Sequence, residues 1–203
     1  MDIGCIKSFK DFTKFKLAEP DLRSDPFFSW TVSVKGTRGK NCLVVANDAF
    51  CAGFFYYGIS REDVQRMDEI ILKGIDHLLS MENIRTDLIK RYLEDCEVSD
   101  DLKGSIRYTK PRGPKAIARF NSFANMAEDF GGLQDGYLPD NLVRTMNEFE
   151  FSTSGKRCDR RMLLQYMFMM HYVEKCEGPW YFDDRSTLIP VGTVTGDLTR
   201  VLN

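Results

Sequence analysis

The chain has 203 residues, a net charge of −2 and a hydrophobic share of 43%. This length and composition predict a globular protein whose core is large enough to be stable without a disulfide or a structural metal. The near-neutral charge excludes a protein that is basic over its whole surface, as many nucleic-acid-binding domains are.

The N-terminal third of the chain contains three strand patterns joined by short turns. In the first of them Trp30, Val32 and Val34 alternate with polar residues, which is typical of a half-buried strand. The predicted elements are, in order, a helix over 8–15, a loop over 17–26 and strands over 29–34, 41–46 and 51–57. Consecutive strands with short connections predict an antiparallel meander.

Helical spacing dominates the chain after residue 60. The longest helix is predicted to begin at Ser60, which forms a capping box with Asp63. Further helices are predicted over 86–96, 114–130, 140–146 and 159–173, with short strands at 105–109 and 149–151 and an extended tail. Because strands come first and helices follow, the fold class is predicted to be α+β, a meander packed by several helices.

No clear domain boundary interrupts this order of elements. The polar stretch over 152–156 is the best candidate for a weak subdivision of one domain that covers 1–203.

The cysteines and the hydropathy pattern indicate the cellular compartment of the protein. No two of the six cysteines form a C-x-x-C pair, and neither histidine lies at ligand spacing from a cysteine, which argues against a structural zinc site. We predict no metal and no cofactor. The N-terminal segment lacks a secretory signal, and the longest nearly apolar run, 49–59, is about half of what a membrane helix needs. We therefore expect a cytoplasmic protein without a membrane partner.

Basic residues cluster in two segments of this slightly acidic chain. Residues 103–119 contain six basic residues and no acid, whereas residues 60–101 contain 12 acids and 6 bases. A basic loop that leads into a helix N-terminus favours anions. The candidate residues for binding an anion or nucleic acid are Arg107, Lys110, Arg112, Lys115, Arg119, Arg157, Arg160 and Arg161. The alternative is that these side chains pair with the acidic helices.

Catalytic motifs are absent from the sequence, and catalytic residues stay unassigned. The chain contains no phosphate-binding loop, dinucleotide fingerprint, zinc-protease motif or nucleophile elbow. An enzyme site could form where His171 and Arg160 meet Asp183 and Asp184, if these side chains share one cleft. The pair Asn47-Asp48 is explained equally well by turn chemistry.

Three functions from different classes fit these observations. The leading hypothesis is a non-enzymatic binding protein whose basic loop contacts an anionic partner, with nucleic acid as the leading partner. The second is a protein–protein interaction module or homodimer that uses the acidic helices and the aromatic strand over 54–57. The third is an enzyme with a site near His171 and Asp183.

Several short motifs together resemble an uncharacterised prokaryotic family. They are Trp30 at the start of a strand, the apolar strand that ends at Asn47-Asp48, the strand and long helix that follow, and Arg107-Tyr108-Thr109 before a helix with Asn121. The resemblance covers residues 8–130. The family is known only as a domain of unknown function, with some members in plasmid or mobile-element contexts. It implies no activity, so no functional residue is carried over from it.

Overall fold

A mixed β-sheet with helices packed on it organises the computed structural model, which describes residues 1–98, 104–128, 134–148, 150–153 and 156–172. The strands are β1 (Asp2–Cys5), β2 (Ser29–Thr37), β3 (Lys40–Asn47), β4 (Gly53–Tyr57), β5 (Arg107–Thr109), β6 (Gly136–Tyr137), β7 (Glu150–Thr153) and β8 (Lys156–Asp159). The α-helices are α1 (Lys7–Thr13), α2 (Met67–Met81), α3 (Thr86–Asp95), α4 (Pro114–Ala124), α5 (Asp140–Glu148) and α6 (Arg160–Tyr172). The predicted α+β class is confirmed.

The main sheet has the strand order β5-β1-β2-β3-β4-β6. Its centre is the predicted antiparallel meander of β2, β3 and β4, in which Val32 lies opposite Val45 and Val44 opposite Phe55. The sequence did not predict β1, which pairs in parallel with both β2 and β5. Strands β7 and β8, which include most of the stretch over 152–156, form a separate hairpin.

Helix α2 packs its apolar side against the meander. Only half of the predicted capping box forms. The backbone N–H of Ser60 donates to Asp63 Oδ2 at 2.9 Å, but the Ser60 hydroxyl donates to the same oxygen, and the N–H of Asp63 donates to the carbonyl of Ser60 at 3.3 Å instead of to the hydroxyl. A 3₁₀ helix over Glu62–Arg66 comes first, so the α-helix itself begins only at Met67. Gly74 allows close packing, since a Cβ atom there would lie 2.2 Å from the ring of Phe54.

An aromatic cluster around Phe27 joins three parts of the chain. The Phe27 ring packs edge-on against Phe50, Tyr92 and Phe168, with ring centres 5.1 to 6.0 Å apart. Trp30 Nε1 donates to the Tyr92 hydroxyl at 2.8 Å, and that hydroxyl donates to the carbonyl of Phe27 at 3.0 Å. The start of β2 is thereby fixed to α3 and to α6.

The helix predicted over 114–130 ends earlier than the sequence pattern indicates. Helix α4 ends at Ala124 and continues as a 3₁₀ helix over Asn125–Glu128. The stop signal at Gly131-Gly132 and the extended tail lie outside the described residues. Among the helices that are described, none is both long and apolar enough to cross a lipid bilayer.

Candidate anion-binding site

A cleft of about 430 Å³ lies where the loop after β5 enters α4. Its lining combines three cationic side chains of the predicted basic segment with one acid and several small residues. The lining residues are Pro26, Asp48, Arg112, Gly113, Pro114, Lys115, Ala116 and Arg119. The cleft therefore brings together Arg112, Lys115 and Arg119 from the eight residues that the sequence predicts to bind anions.

The first turn of α4 forms one wall of this cleft. Gly113 precedes the helix with a φ of 145°, a conformation that residues with a Cβ atom rarely adopt. Pro114 is the first helical residue, where its fixed φ suits the helix and its missing N–H costs nothing. The positive end of the helix dipole consequently faces the cleft and favours a negatively charged ligand.

Arg112 is held in place by the segment that precedes β2 and by the first residue of that strand. Its Nη1 donates to the hydroxyls of Ser24 and Ser29 at 2.6 and 3.1 Å, and to the carbonyl of Asp21 at 2.9 Å. Its Nη2 donates to the carbonyls of Leu22 and Ser24 at 3.2 and 2.6 Å. The guanidinium is thus a fixed positive charge on the cleft wall.

The other two cations lie on successive turns of α4. Lys115 is exposed, and Arg119 is half-buried with its Nη1 donating to the backbone carbonyl of Asp48 at 3.2 Å. Residues four apart lie on the same face of a helix, so both side chains face the same cleft.

Asp48 is the acid of the cleft, and it is only 6% exposed. Its Oδ1 accepts a hydrogen bond from the Thr31 hydroxyl at 2.6 Å, and its N–H donates to the carbonyl of Ser29 at 2.9 Å. Its Oδ2 is buried and accepts no hydrogen bond from the described residues. Burial raises the pKa of Asp48 to about 6, against the opposing effects of the Thr31 hydrogen bond and of Arg112 and Arg119.

Asn47 explains why the chain turns at this point. Its Oδ1 accepts from the N–H groups of Ala49 and Phe50 at 2.8 and 3.2 Å, and its Nδ2 donates to the carbonyl of Phe27 at 2.9 Å. This is the turn chemistry that the sequence suggests for the pair. The role of Asp48 beside it was missed, although an acid flanked by the apolar residues of β3 and by 49–52 was a signal of burial.

Arg107 and Lys110 lie at the surface beside β5, outside the cleft lining. Arg107 forms a two-bond ion pair with Asp2, through Nε at 2.7 Å and through Nη2. Lys110 forms an ion pair with Glu19. Both basic side chains are more than half exposed, so these pairs remain accessible to solvent.

Arg160 and Arg161, two of the predicted anion-binding residues, pack against other parts of the protein instead of the cleft. Arg160 is 2% exposed and lies over the ring of Phe123, 5.7 Å from its centre. Arg161 forms ion pairs with the buried Glu82 at 2.7 Å and with Glu148 at 3.0 Å. Neither residue lines the cleft, and the side chain of Arg157 lies outside the described part of the structure.

Of the residues of the enzyme alternative, the described pair His171 and Arg160 is not brought together. The His171 ring stacks on Phe27 with centres 3.9 Å apart, and its Nε2 lies 3.1 Å from Asp25 Oδ2. Arg160 lies at the opposite end of α6, which places the two residues about 16 Å apart along the helix axis. Asp183 and Asp184 lie outside the described residues.

The aromatic strand of the protein–protein alternative belongs largely to the core. Phe54, Phe55 and Tyr57 are each no more than 5% exposed, and β4 is paired on both sides.

In the described part of the chain, no group of three or more His, Cys, Asp or Glu side chains is placed to hold a metal ion.

Comparison with known proteins identifies a family but no characterised relative. No curated protein and no solved structure matches the chain. A family model described as a domain of unknown function, DUF6933, matches residues 3–160. This match covers more than half of the chain and extends the resemblance seen over 8–130 at both ends. The chain therefore belongs to the DUF6933 family.

Proposed function

We propose that this chain is a non-enzymatic, cytosolic binding protein whose cleft at the start of α4 contacts an anionic partner, with nucleic acid as the leading partner. The observation that carries the proposal is the placement of Arg112, Lys115 and Arg119 around one cleft at a helix N-terminus. Charge-assisted hydrogen bonds from such groups are the usual means by which proteins hold phosphate oxygens.

Arg107 and Lys110 extend this surface along β5. Their ion pairs with Asp2 and Glu19 are exposed, and exposed pairs of this kind contribute about 0–1 kcal/mol. Phosphate groups of a partner can therefore compete for both cations at little cost.

The salt dependence of nucleic-acid binding tests the proposal. Fluorescence anisotropy with labelled single- and double-stranded DNA and RNA should show binding at 50 mM salt. With three phosphate contacts, affinity for a duplex should fall roughly 40-fold between 50 and 200 mM salt. Absence of binding to all four probes at low salt would rule the proposal out.

A matched pair of lysine variants locates the binding surface. Lys115→Gln removes a cation of the cleft, so it should weaken binding and lower the salt slope by about 1. Lys90→Gln is the control, because Lys90 is exposed on α3 and lies 3.8 Å from Glu94. Equal effects of the two substitutions would show that binding is not located at the cleft.

A further inference from the structure

The cleft places two requirements on a ligand, and few simple anions meet both of them. Its three cations and the N-terminus of α4 favour negative charge. Its buried Asp48 Oδ2 is a hydrogen-bond acceptor that no described residue satisfies. A buried acceptor without a donor is destabilising, so a ligand that supplies a donor here gains a hydrogen bond that the described protein groups leave unmade.

A protonated oxyanion meets both requirements. A phosphate monoester has a second pKa of about 6, so part of it still carries a proton near neutral pH. The P–OH group can donate to a carboxylate while the other oxygens accept from cations. Sulfate and the internal phosphodiesters of a nucleic acid are fully ionised at that pH and have no proton to donate.

We propose that the cleft is a subsite for a phosphate monoester or for inorganic phosphate, in which Asp48 Oδ2 accepts a hydrogen bond from the protonated phosphate oxygen. Lys115 and Arg119 hold the remaining oxygens together with the first turn of α4, and Arg112 contributes its fixed positive charge. The inference rests on the proposed function and narrows it. The part of a nucleic acid that the cleft recognises is a terminal phosphate.

The site has one proton to share between Asp48 and the ligand. The groups that face Asp48 are the Thr31 hydroxyl from β2, and Arg112 and Arg119 from the loop before α4 and from α4 itself. Above the pKa values of both partners the shared proton is lost, and an ionised carboxylate opposes a phosphate dianion. Phosphate affinity should therefore fall as the pH rises from 6 to 8.5.

Calorimetric titration of the full chain with inorganic phosphate and with sulfate at pH 6.5 tests the subsite. The wild-type protein should prefer phosphate at least tenfold. Asp48→Asn should bring the two affinities within about threefold and flatten the pH dependence, because the amide has no ionised form. Equal wild-type affinities, or an Asp48→Asn variant that keeps the preference, would overturn the proposal.

Lys115→Gln shows whether Asp48 itself determines the selectivity. Lys115 is exposed, so this variant should fold normally, bind both anions more weakly and keep the preference for phosphate. Loss of the preference in this variant would assign the selectivity to the cations and contradict the role of Asp48. A thermal melt of Asp48→Asn confirms that it is folded.

Oligonucleotides of one sequence with a 5′-phosphate or a 5′-hydroxyl distinguish the sources of the phosphate. Tighter binding of the phosphorylated form supports recognition of a nucleic-acid end. If inorganic phosphate and a nucleoside monophosphate bind in preference to sulfate but neither oligonucleotide binds, the subsite stands and the proposed nucleic-acid function fails. If both oligonucleotides bind equally and inorganic phosphate is not preferred over sulfate, the proposed nucleic-acid function stands and the subsite fails.

Discussion

The carboxyl group of Asp48 makes the stability of the fold depend on pH. Its pKa is about 6 in the folded protein, above the ordinary value of 3.8 expected in the unfolded chain. Between these values the folded state binds more protons than the unfolded state, so the free energy of unfolding falls as the pH rises. The contribution of Asp48 to stability is complete below pH 3.8 and is lost as the pH rises through 6.

Asp48→Asn should remove this dependence. An asparagine keeps an acceptor for the Thr31 hydroxyl but is never ionised. Relative to wild type, the variant should gain about 3 kcal/mol in free energy of unfolding between pH 3.5 and pH 7.5. Urea denaturation of both proteins at the two pH values measures the gain, and the other titrating groups cancel in the difference. A constant difference would contradict ionisation of Asp48 inside the fold.

Helix α5 is attached to the sheet by a buried amide. Asn147 Oδ1 accepts from the N–H of Gly53 at 3.0 Å, and its Nδ2 donates to the carbonyl of Gly53 at 3.0 Å. Asn147 is fully buried, and Gly53 has no room for a side chain, because a Cβ atom would lie 2.2 Å from the carbonyl oxygen of Val45. The amide thus satisfies the backbone at the start of β4.

Asn147→Ala should destabilise the protein by about 2–4 kcal/mol, because both polar groups of Gly53 lose their partner. Urea denaturation gives this number directly. Thr145→Ala on the same helix is the control: Thr145 is exposed, and its hydroxyl donates only to Asn141 within the helix. Its effect should stay within about 0.5 kcal/mol. A similar cost for both variants would mean that the amide does not anchor α5.

The segment before β2 depends on Arg112 for its order. The guanidinium donates to acceptors in Asp21, Leu22, Ser24 and Ser29. Arg112→Ala should therefore speed tryptic cleavage after Arg23 by roughly tenfold, the factor that corresponds to about 1.4 kcal/mol of lost local stability. Mass spectrometry of timed digests identifies the cut, and Lys90→Ala should leave its rate unchanged. Unaltered cleavage in Arg112→Ala would show that the segment is ordered by other contacts.

Local patterns account for the elements that the sequence predicts correctly. Strands β2, β3 and β4 follow one another with short turns, so alternation and turn residues were sufficient to identify them. Strand β1 has only four residues, and its partners begin at Ser29 and Arg107. Parallel pairing over such separations leaves no local signature, because the connection between the strands can have any composition.

Contacts between residues that are far apart in the sequence also explain what was missed in the candidate site. The cations of residues 107–119 form a visible cluster in the sequence. The burial of Asp48 depends on Thr31 and on the start of α4, which lie far from it in the chain. Arg160 and Arg161 look like the other cations in sequence, and only the packing against Phe123 and Glu82 distinguishes them.

At the scale of the whole molecule, the cleft is assembled from separate parts of the sheet. Asp48 directly follows β3, Thr31 belongs to β2, and Arg112 follows β5. The pairing of β5 with β1 and of β1 with β2 fixes the position of the loop that carries Arg112. The geometry of the cleft therefore depends on strands that contribute no side chain to its lining.

The position of β1 between β2 and β5 also matters while the ribosome is making the protein. Strand β5 begins 50 residues after β4 ends, and at 5–20 residues per second this segment takes roughly 3–10 s to synthesise. During that interval β1 is the outer strand of the nascent sheet, with one row of backbone groups open to a strand from another chain. Crowded polysomes, which hold nascent chains close together, therefore favour pairing of this edge between chains before the cleft exists.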